Sequence, residues 1–240
     1  MTQVLRAVIF DMYETLITLF ESPVYFSTQM AEDAGIPEED FRKIWRATEE
    51  ARTTGRVRVE EVVARILKEK GCFTKKKLQR IMEKRIIYKK EAFEHMHPEI
   101  LPMMDGLKEA GMKIGLISNC HSEEAAVIKE SILYLYFDAV CLSWEEGIQK
   151  PDRRIFERAL QKLAVSAQEC LYVGDGGSNE LAAAGSVGMH PAQAVWYLKE
   201  GTMQPSGRME EFAAIENPLD VIEFVKKHPA AAPPERDRRK

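Results

Sequence analysis

Short apolar runs that close on a polar residue, with helical patterns between them, constrain the fold of this chain most. Residues 4–10 (VLRAVIF) run into Asp11, residues 112–118 (MKIGLIS) into Asn119, and residues 170–174 (CLYVG) into Asp175. Further runs lie at 137–142 (FDAVCL) and 190–196. Apolar stretches without alternation read as strands buried on both faces of a parallel sheet. Between them Ile155, Phe156, Ala159, Leu160 and Leu163 share one helical face, as do Ala125, Ile128, Ile132 and Leu135. Strand and helix in alternation predict an α/β fold, a Rossmann-like, doubly wound parallel sheet.

Residues 17–96 have another texture. Phe41, Ile44, Trp45 and Thr48 recur at i, i+3, i+4 and i+7, and two further sets do likewise: Val59, Val62, Val63, Ile66 and Leu67, then Leu78, Ile81, Met82 and Ile86. Gly35-Ile36-Pro37 and Gly71 punctuate these helices. The expected organisation is a core built from residues 1–16 and 97–227, with an all-helical cap at 17–96 inserted above the strand ends. Residues 228–240 (HPAAAPPERDRRK) mix Ala, Pro and charge without periodicity and read as a flexible tail.

A net charge of −4 supplies no basic field for nucleic acid. No apolar run approaches the roughly 18–20 residues that cross a bilayer, so no membrane partner is expected. The first residues reach Asp11 after a short run and lack a small-residue cleavage site, unlike a secretory signal. The four cysteines show no CxxC spacing, and reduced, buried thiols in a cytoplasmic protein are expected. Lys75-Lys76-Lys77 and Lys89-Lys90 read as solvated faces, and His121 as an exposed loop residue. Oligomeric state is not encoded in any feature of the chain.

Ligands of open parallel sheets bind beyond the carboxyl ends of the strands. There stand Asp11 to Thr15, Ser118-Asn119, Lys150-Pro151 and Gly174-Asp175, with Glu180 a few residues on. Buried carboxylates and ammonium groups cost free energy unless paired, so such a gathering points to chemistry. Asp11 and Asp175 suit a divalent cation that prefers oxygen ligands, such as Mg²⁺. A carboxylate attacking phosphorus gives an aspartyl-phosphate and divides one hard step into two. Lys150 would neutralise developing charge while Thr15, Ser118 and backbone N–H groups hold the oxygens. Gly176 and Gly177 let the backbone pass close by.

These segments, VIFDMYETL, GLISN, QKPDRRIF and LYVGDGGSNEL in that order, resemble the haloacid dehalogenase superfamily of hydrolases, in the branch with a helical cap after the first strand. The resemblance covers nearly the whole chain apart from the tail. It implies a Mg²⁺-dependent phosphatase acting on a small-molecule phosphate ester. Asp11 would be the nucleophile, Thr15, Ser118 and Asn119 phosphate binders, and Lys150 the charge anchor. Metal ligands would be Asp11, Asp175, Glu180 and the backbone carbonyl of Tyr13.

One position departs from the pattern. Phosphatases of the superfamily usually carry a second Asp two residues after the nucleophile, and here Tyr13 stands in that catalytic position. A phenol, with an ordinary pKa of about 10, donates a proton but is a poor base near neutrality. Tyr there resembles the 2-haloacid dehalogenases, in which the Asp attacks carbon and no metal is needed. Retention of Gly174-Asp175 resembles the phosphatases instead. Alternatives to the phosphatase are therefore a metal-independent dehalogenase and a catalytically weakened, ligand-binding member. Specificity would rest with residues near 19–25 and 52–58 of the cap, where Arg52, Arg56 or Arg58 would meet a carboxylate or second phosphate.

Overall fold

A computed structural model describes residues 5–199 and 206–227; the tail expected at 228–240 lies outside them. Among the described residues a sheet of six parallel strands forms in the order β3-β2-β1-β4-β5-β6. Its strands are β1 (Ala7–Phe10), β2 (Lys113–Ser118), β3 (Ala139–Leu142), β4 (Cys170–Gly174), β5 (His190–Ala194) and β6 (Ala213–Ile215). The expected runs supply β1 to β5. The edge strand β6 is only three residues long and leaves no readable apolar run.

The pleat distributes β1 between two layers, because successive side chains point to opposite faces. Val8 and Phe10 join a cluster with Met103, Met104, Ile128 and Val221. These come from α6 (Ile100–Glu109), α7 (Ser122–Glu130) and α11 (Asp220–Lys226). Ala7 and Ile9 face the opposite layer with Ile155, Phe156, Leu160 and Leu181, from α9 (Arg153–Leu163) and α10 (Glu180–Val187). The apolar stripe read for α9 is buried throughout. Asp152 starts that helix by accepting from Arg154 N at 2.9 Å, satisfying one of the N–H groups a helix start leaves open.

Between β1 and α6 run α1 (Ser27–Ala34), α2 (Glu38–Ala47), α3 (Glu49–Thr53), α4 (Val59–Glu69) and α5 (Lys75–Glu94). Their own cluster gathers Met30, Phe41, Val63, Ile66 and Ile81, separate from the two that flank the sheet. A final short helix, α8 (Ser143–Glu146), follows β3. Among the described residues no helix is long and apolar enough to cross a membrane.

One helical reading needs correction. The pattern Ala125, Ile128, Ile132, Leu135 breaks after α7, where Ser131 turns extended at φ −77° and ψ 156°. The following 3₁₀ turn, Ile132–Tyr136, resets the phase, so Leu133 is buried while Ile132 and Leu135 are 49% and 78% exposed.

This difference is measurable. Phe156→Ala empties a fully buried site and is expected to destabilise the chain by about 3–5 kcal/mol in urea unfolding. Leu135→Ala is expected to stay within about 0.5 kcal/mol. Equal losses would restore the continuous helical face.

Candidate active site

Strand order decides where the polar strand ends meet. In the sequence 3-2-1-4-5-6 the order reverses between β1 and β4, which is where such sheets open a crevice at their carboxyl edge. Phe10 pairs with Leu116 on one side and Val173 on the other, and Asp11 N donates to Val173 O at 2.9 Å. Asp11 and Asp175 therefore leave adjacent strands at neighbouring levels. Asp11, Asp175 and Glu180 each present a carboxylate oxygen, and these atoms lie within 4.8 Å of one another.

Lys150 reaches into this group. Its Nζ donates to Asp11 Oδ1 and Glu180 Oε2, and Tyr172 OH donates to the same Glu180 oxygen at 2.8 Å. Asn119 holds the lysine backbone from both sides: Lys150 N donates to Asn119 Oδ1 at 2.8 Å, and Asn119 Nδ2 to Lys150 O at 3.0 Å. Gly174 makes room, since a Cβ there would overlap Glu180 Oε1. Gly176 adopts φ 98°, open to glycine at no steric cost, and Gly177 N donates to Asp175 Oδ1 at 2.9 Å.

Two of the three buried carboxylates pair with Lys150, and the excess negative charge shows in the protonation of Asp175 and Glu180. Burial and then the Asp11 charge push Asp175 up to about 6. The same causes push Glu180 up to about 8, against the pull of Lys150. Burial acts to lower the Lys150 pKa, and Asp11 and Glu180 more than reverse it. Thr15 Oγ1 and Ser118 Oγ are buried without a hydrogen-bond partner, a cost of about 1–3 kcal/mol each. All-oxygen donors with surplus charge suit a hard divalent cation, and the two hydroxyls suit an oxyanion.

Tyr13 stands apart. Its ring lies under Lys89 Nζ, 5.0 Å from the centroid, and its buried OH has no partner. Burial, followed by Glu124, holds its pKa well above the ordinary value. Glu14, at φ 58°, accepts from Thr18 Oγ1 at 2.6 Å and Leu19 N at 2.9 Å, tying down the loop after β1.

Two surface readings fail at this level. Lys89 is buried and pairs with Glu124 at 2.8 Å, beside Arg85 Nε donating to Glu123 at 2.8 Å. The signal was available: Ile81, Arg85, Lys89 and Ala92 form one helical stripe, all buried. His121 is no exposed loop residue. Its side chain is 13% exposed, and its Nε2 lies 3.3 Å from Glu49 Oε1 on α3. Over Lys150 a cavity of about 590 Å³ opens between α3 and the β2 and β3 loops.

A family model described as haloacid dehalogenase-like hydrolase matches residues 5–188. The chain is 30% identical over 102 residues to a glyceraldehyde 3-phosphate phosphatase of Methanopyrus kandleri, covering 42% of this chain and 43% of that protein. It is 32% identical over 105 residues to haloacid dehalogenase-like hydrolase domain-containing protein 3 of Xenopus laevis, covering 40% and 43%. It thus spans about two fifths of the length of these curated relatives. A HAD phosphatase from Thermococcus onnurineus superposes with TM-score 0.64 at 19% identity, covering 95% of this chain and 100% of that one. A 2-haloacid dehalogenase from Pseudomonas syringae pv. Tomato DC3000 gives 0.67 at 22%, covering 93% and 99%. At these identities the two structures share the fold.

Protonation of the carboxylate group sets a pH dependence. Unfolded Asp and Glu titrate near about 3.9 and 4.3, whereas folded Asp175 and Glu180 hold protons to about 6 and 8. The folded chain binds more protons across that interval, so stability falls as pH rises. In chelator, the melting temperature is expected to drop between about pH 5 and 8. Added Mg²⁺ should raise it, more at pH 8 than at pH 5, because protons and cation compete. A flat profile in differential scanning calorimetry would contradict this.

Proposed function

The chain belongs to the haloacid dehalogenase-like hydrolases, and from that premise we propose that it is a Mg²⁺-dependent phosphatase of small phosphate monoesters, acting through an aspartyl-phosphate at Asp11. The observation that carries this reading is the surplus of buried carboxylate around Lys150. Asp11, Asp175, Glu180 and the Tyr13 carbonyl would hold the cation. When bound, it would offset the carboxylate charge and reduce repulsion between Asp11 and a phosphate dianion. Similarity to glyceraldehyde 3-phosphate phosphatases supports phosphate chemistry.

In the proposed reaction Asp11 forms a bond to phosphorus while the ester P–O bond breaks and the leaving alkoxide takes a proton from solvent water. Lys150, Thr15 and Ser118 would hold the phosphoryl oxygens as their charge grows. Asn119, engaged with the Lys150 backbone on both sides, would act by positioning that lysine. Water would then attack phosphorus as the bond from the Asp11 oxygen to phosphorus breaks, restoring the carboxylate, and the proton lost by that water would leave with the inorganic phosphate or solvent. Tyr13 keeps its proton and would serve this step poorly as a base. Loss of the usual carboxylate is expected to slow turnover by about 10²–10⁴. The helices α1 to α5 would form the cap. The four free thiols, three of them buried, are in keeping with a reducing cytoplasm.

Tyr13 favours one second reading, a 2-haloacid dehalogenase, in which Asp11 would displace halide from carbon. The test is hydrolysis of an activated aryl phosphate, whose leaving group barely needs an acid. Mg²⁺-dependent release is expected, falling to background in Asp11→Asn. Full activity in that variant would overturn the nucleophile assignment. Halide release from a 2-haloacid in excess chelator would establish the second reading instead. Ligand-induced thermal stabilisation without any product would mark a binding member.

A further inference from the structure

β5 supplies none of the residues that the sequence places at the site, yet one of its side chains reaches the turn that carries two of them. Ala192 and Ala194 join the apolar cluster that α6 helps to build. Gln193, between them, points to the opposite face, where Met209 and Phe212 pack against the cluster of Ile155, Phe156 and Leu181. Gln193 is fully buried and stands opposite Gly174, the last residue of β4, in the strand register.

A buried amide costs free energy unless its polar groups are bonded, and both ends of this one are. Gln193 Nε2 donates to Asp175 O and to Gly207 O, each at 2.8 Å, while Gln193 Oε1 accepts from Met209 N at 2.9 Å. Two carbonyls face one end of the amide and an N–H the other, so a single orientation satisfies all three contacts. The side chain thereby joins residues 207–209, which follow β5, to the turn after β4. Met209 closes on the same turn, since a Cβ at Gly176 would lie 2.6 Å from Met209 Sδ.

That turn needs holding. Gly176, Ser178 and Asn179 have φ of 98°, 54° and 53°, and the two non-glycine residues occupy a region that L-residues rarely populate. Asp175 begins the turn and Glu180 follows it, so its conformation sets how their carboxylates are spaced. Within it Asp175 Oδ1 accepts from Gly177 N at 2.9 Å, and Glu180 Oε1 from Gly176 N at 3.3 Å. From outside, Asn119 Nδ2 donates to Ser178 Oγ at 3.3 Å, and Gln193 holds the Asp175 carbonyl.

Resting on the Mg²⁺-dependent reading, we infer that Gln193 is a positioning residue for the cation site, presetting Asp175 through the backbone without touching the ion. Without Gln193, Asp175 O and Gly207 O lose this donor and the turn is free to leave its left-handed conformation. Ordering Asp175 then becomes part of the cost of binding. Groups that orient a metal ligand from behind typically change metal affinity by about 10–100-fold.

Gln193→Met roughly keeps the volume and removes all three hydrogen bonds. Calorimetric titration with Mg²⁺ alone at pH 8 is expected to give a dissociation constant about tenfold or more above that of the wild type. The Mg²⁺ concentration for half-maximal aryl phosphate hydrolysis should rise by a similar factor. At saturating Mg²⁺, kcat should stay within about threefold, because the loaded variant reaches the same arrangement. Val63→Ala, in the separate helical cluster, lowers stability and is expected to keep the wild-type Mg²⁺ affinity. A folded Gln193→Met chain that binds Mg²⁺ as the wild type does, or a Val63→Ala chain that loses affinity equally, overturns the positioning role alone. Thermal melting checks folding. If Gln193→Met does not fold, Gln193→Asn, whose amide is one methylene too short to span both loops, is read in the same way. If neither folds, Gln193 serves the fold and not the site, and the positioning role is overturned. If the wild type binds no Mg²⁺, the Mg²⁺-dependent reading fails and the positioning role fails with it.

Discussion

A single ammonium held between two buried carboxylates organises this molecule. Lys150 lies between Asp11 from the end of β1 and Glu180 from the start of α10, with Tyr172 beneath. Taking such charges from water is expensive, and removing one partner of a buried pair costs about 3–5 kcal/mol. The surroundings are arranged to keep the contact: Asn119 grips the lysine backbone, and Gly174 has no side chain where Glu180 must lie. Asp175 then adds a third carboxylate that Lys150 cannot also neutralise. That imbalance is the strongest physical argument for a cation at this edge of the sheet.

A second layer of charge joins the helical unit to the sheet. Arg85 and Lys89 on α5 meet Glu123 and Glu124 on α7, all buried. Arg52 and Glu49 on α3 extend the same network to His121. Pairs of this kind add little net stability compared with apolar packing, yet their geometry is demanding. They are well suited to fixing how α3 lies across the cavity, and through α3 which atoms line it.

The fold is shared with phosphatases and dehalogenases alike, so backbone likeness does not separate the two chemistries. The separation rests on side chains. Tyr13 resembles the dehalogenase pattern, but its hydroxyl is buried, and the charges acting on it are those of Glu124, Glu123 and Arg85. Asp175 and Glu180 lie with Asp11, an all-oxygen group of the kind that suits a hard divalent cation.

Much of this was legible in one dimension. Apolar runs closing on Asp11, Asn119 and Asp175 placed three strands and three polar ends, because a buried parallel strand must be apolar throughout and its ligands must lie beyond it. The stripe of α9 was equally plain, since helical period and burial coincide there. Other features were decided only by tertiary contact. The phase reset at Ser131 exposed Leu135, and a three-residue edge strand left no periodic trace. Lys89 looked like solvent-facing charge because its acidic partner, Glu124, lies more than thirty residues away. The sequence by itself determined which residue types stand at the strand ends. Only the folded chain decided which charges are compensated, because compensation depends on distances that periodicity does not carry.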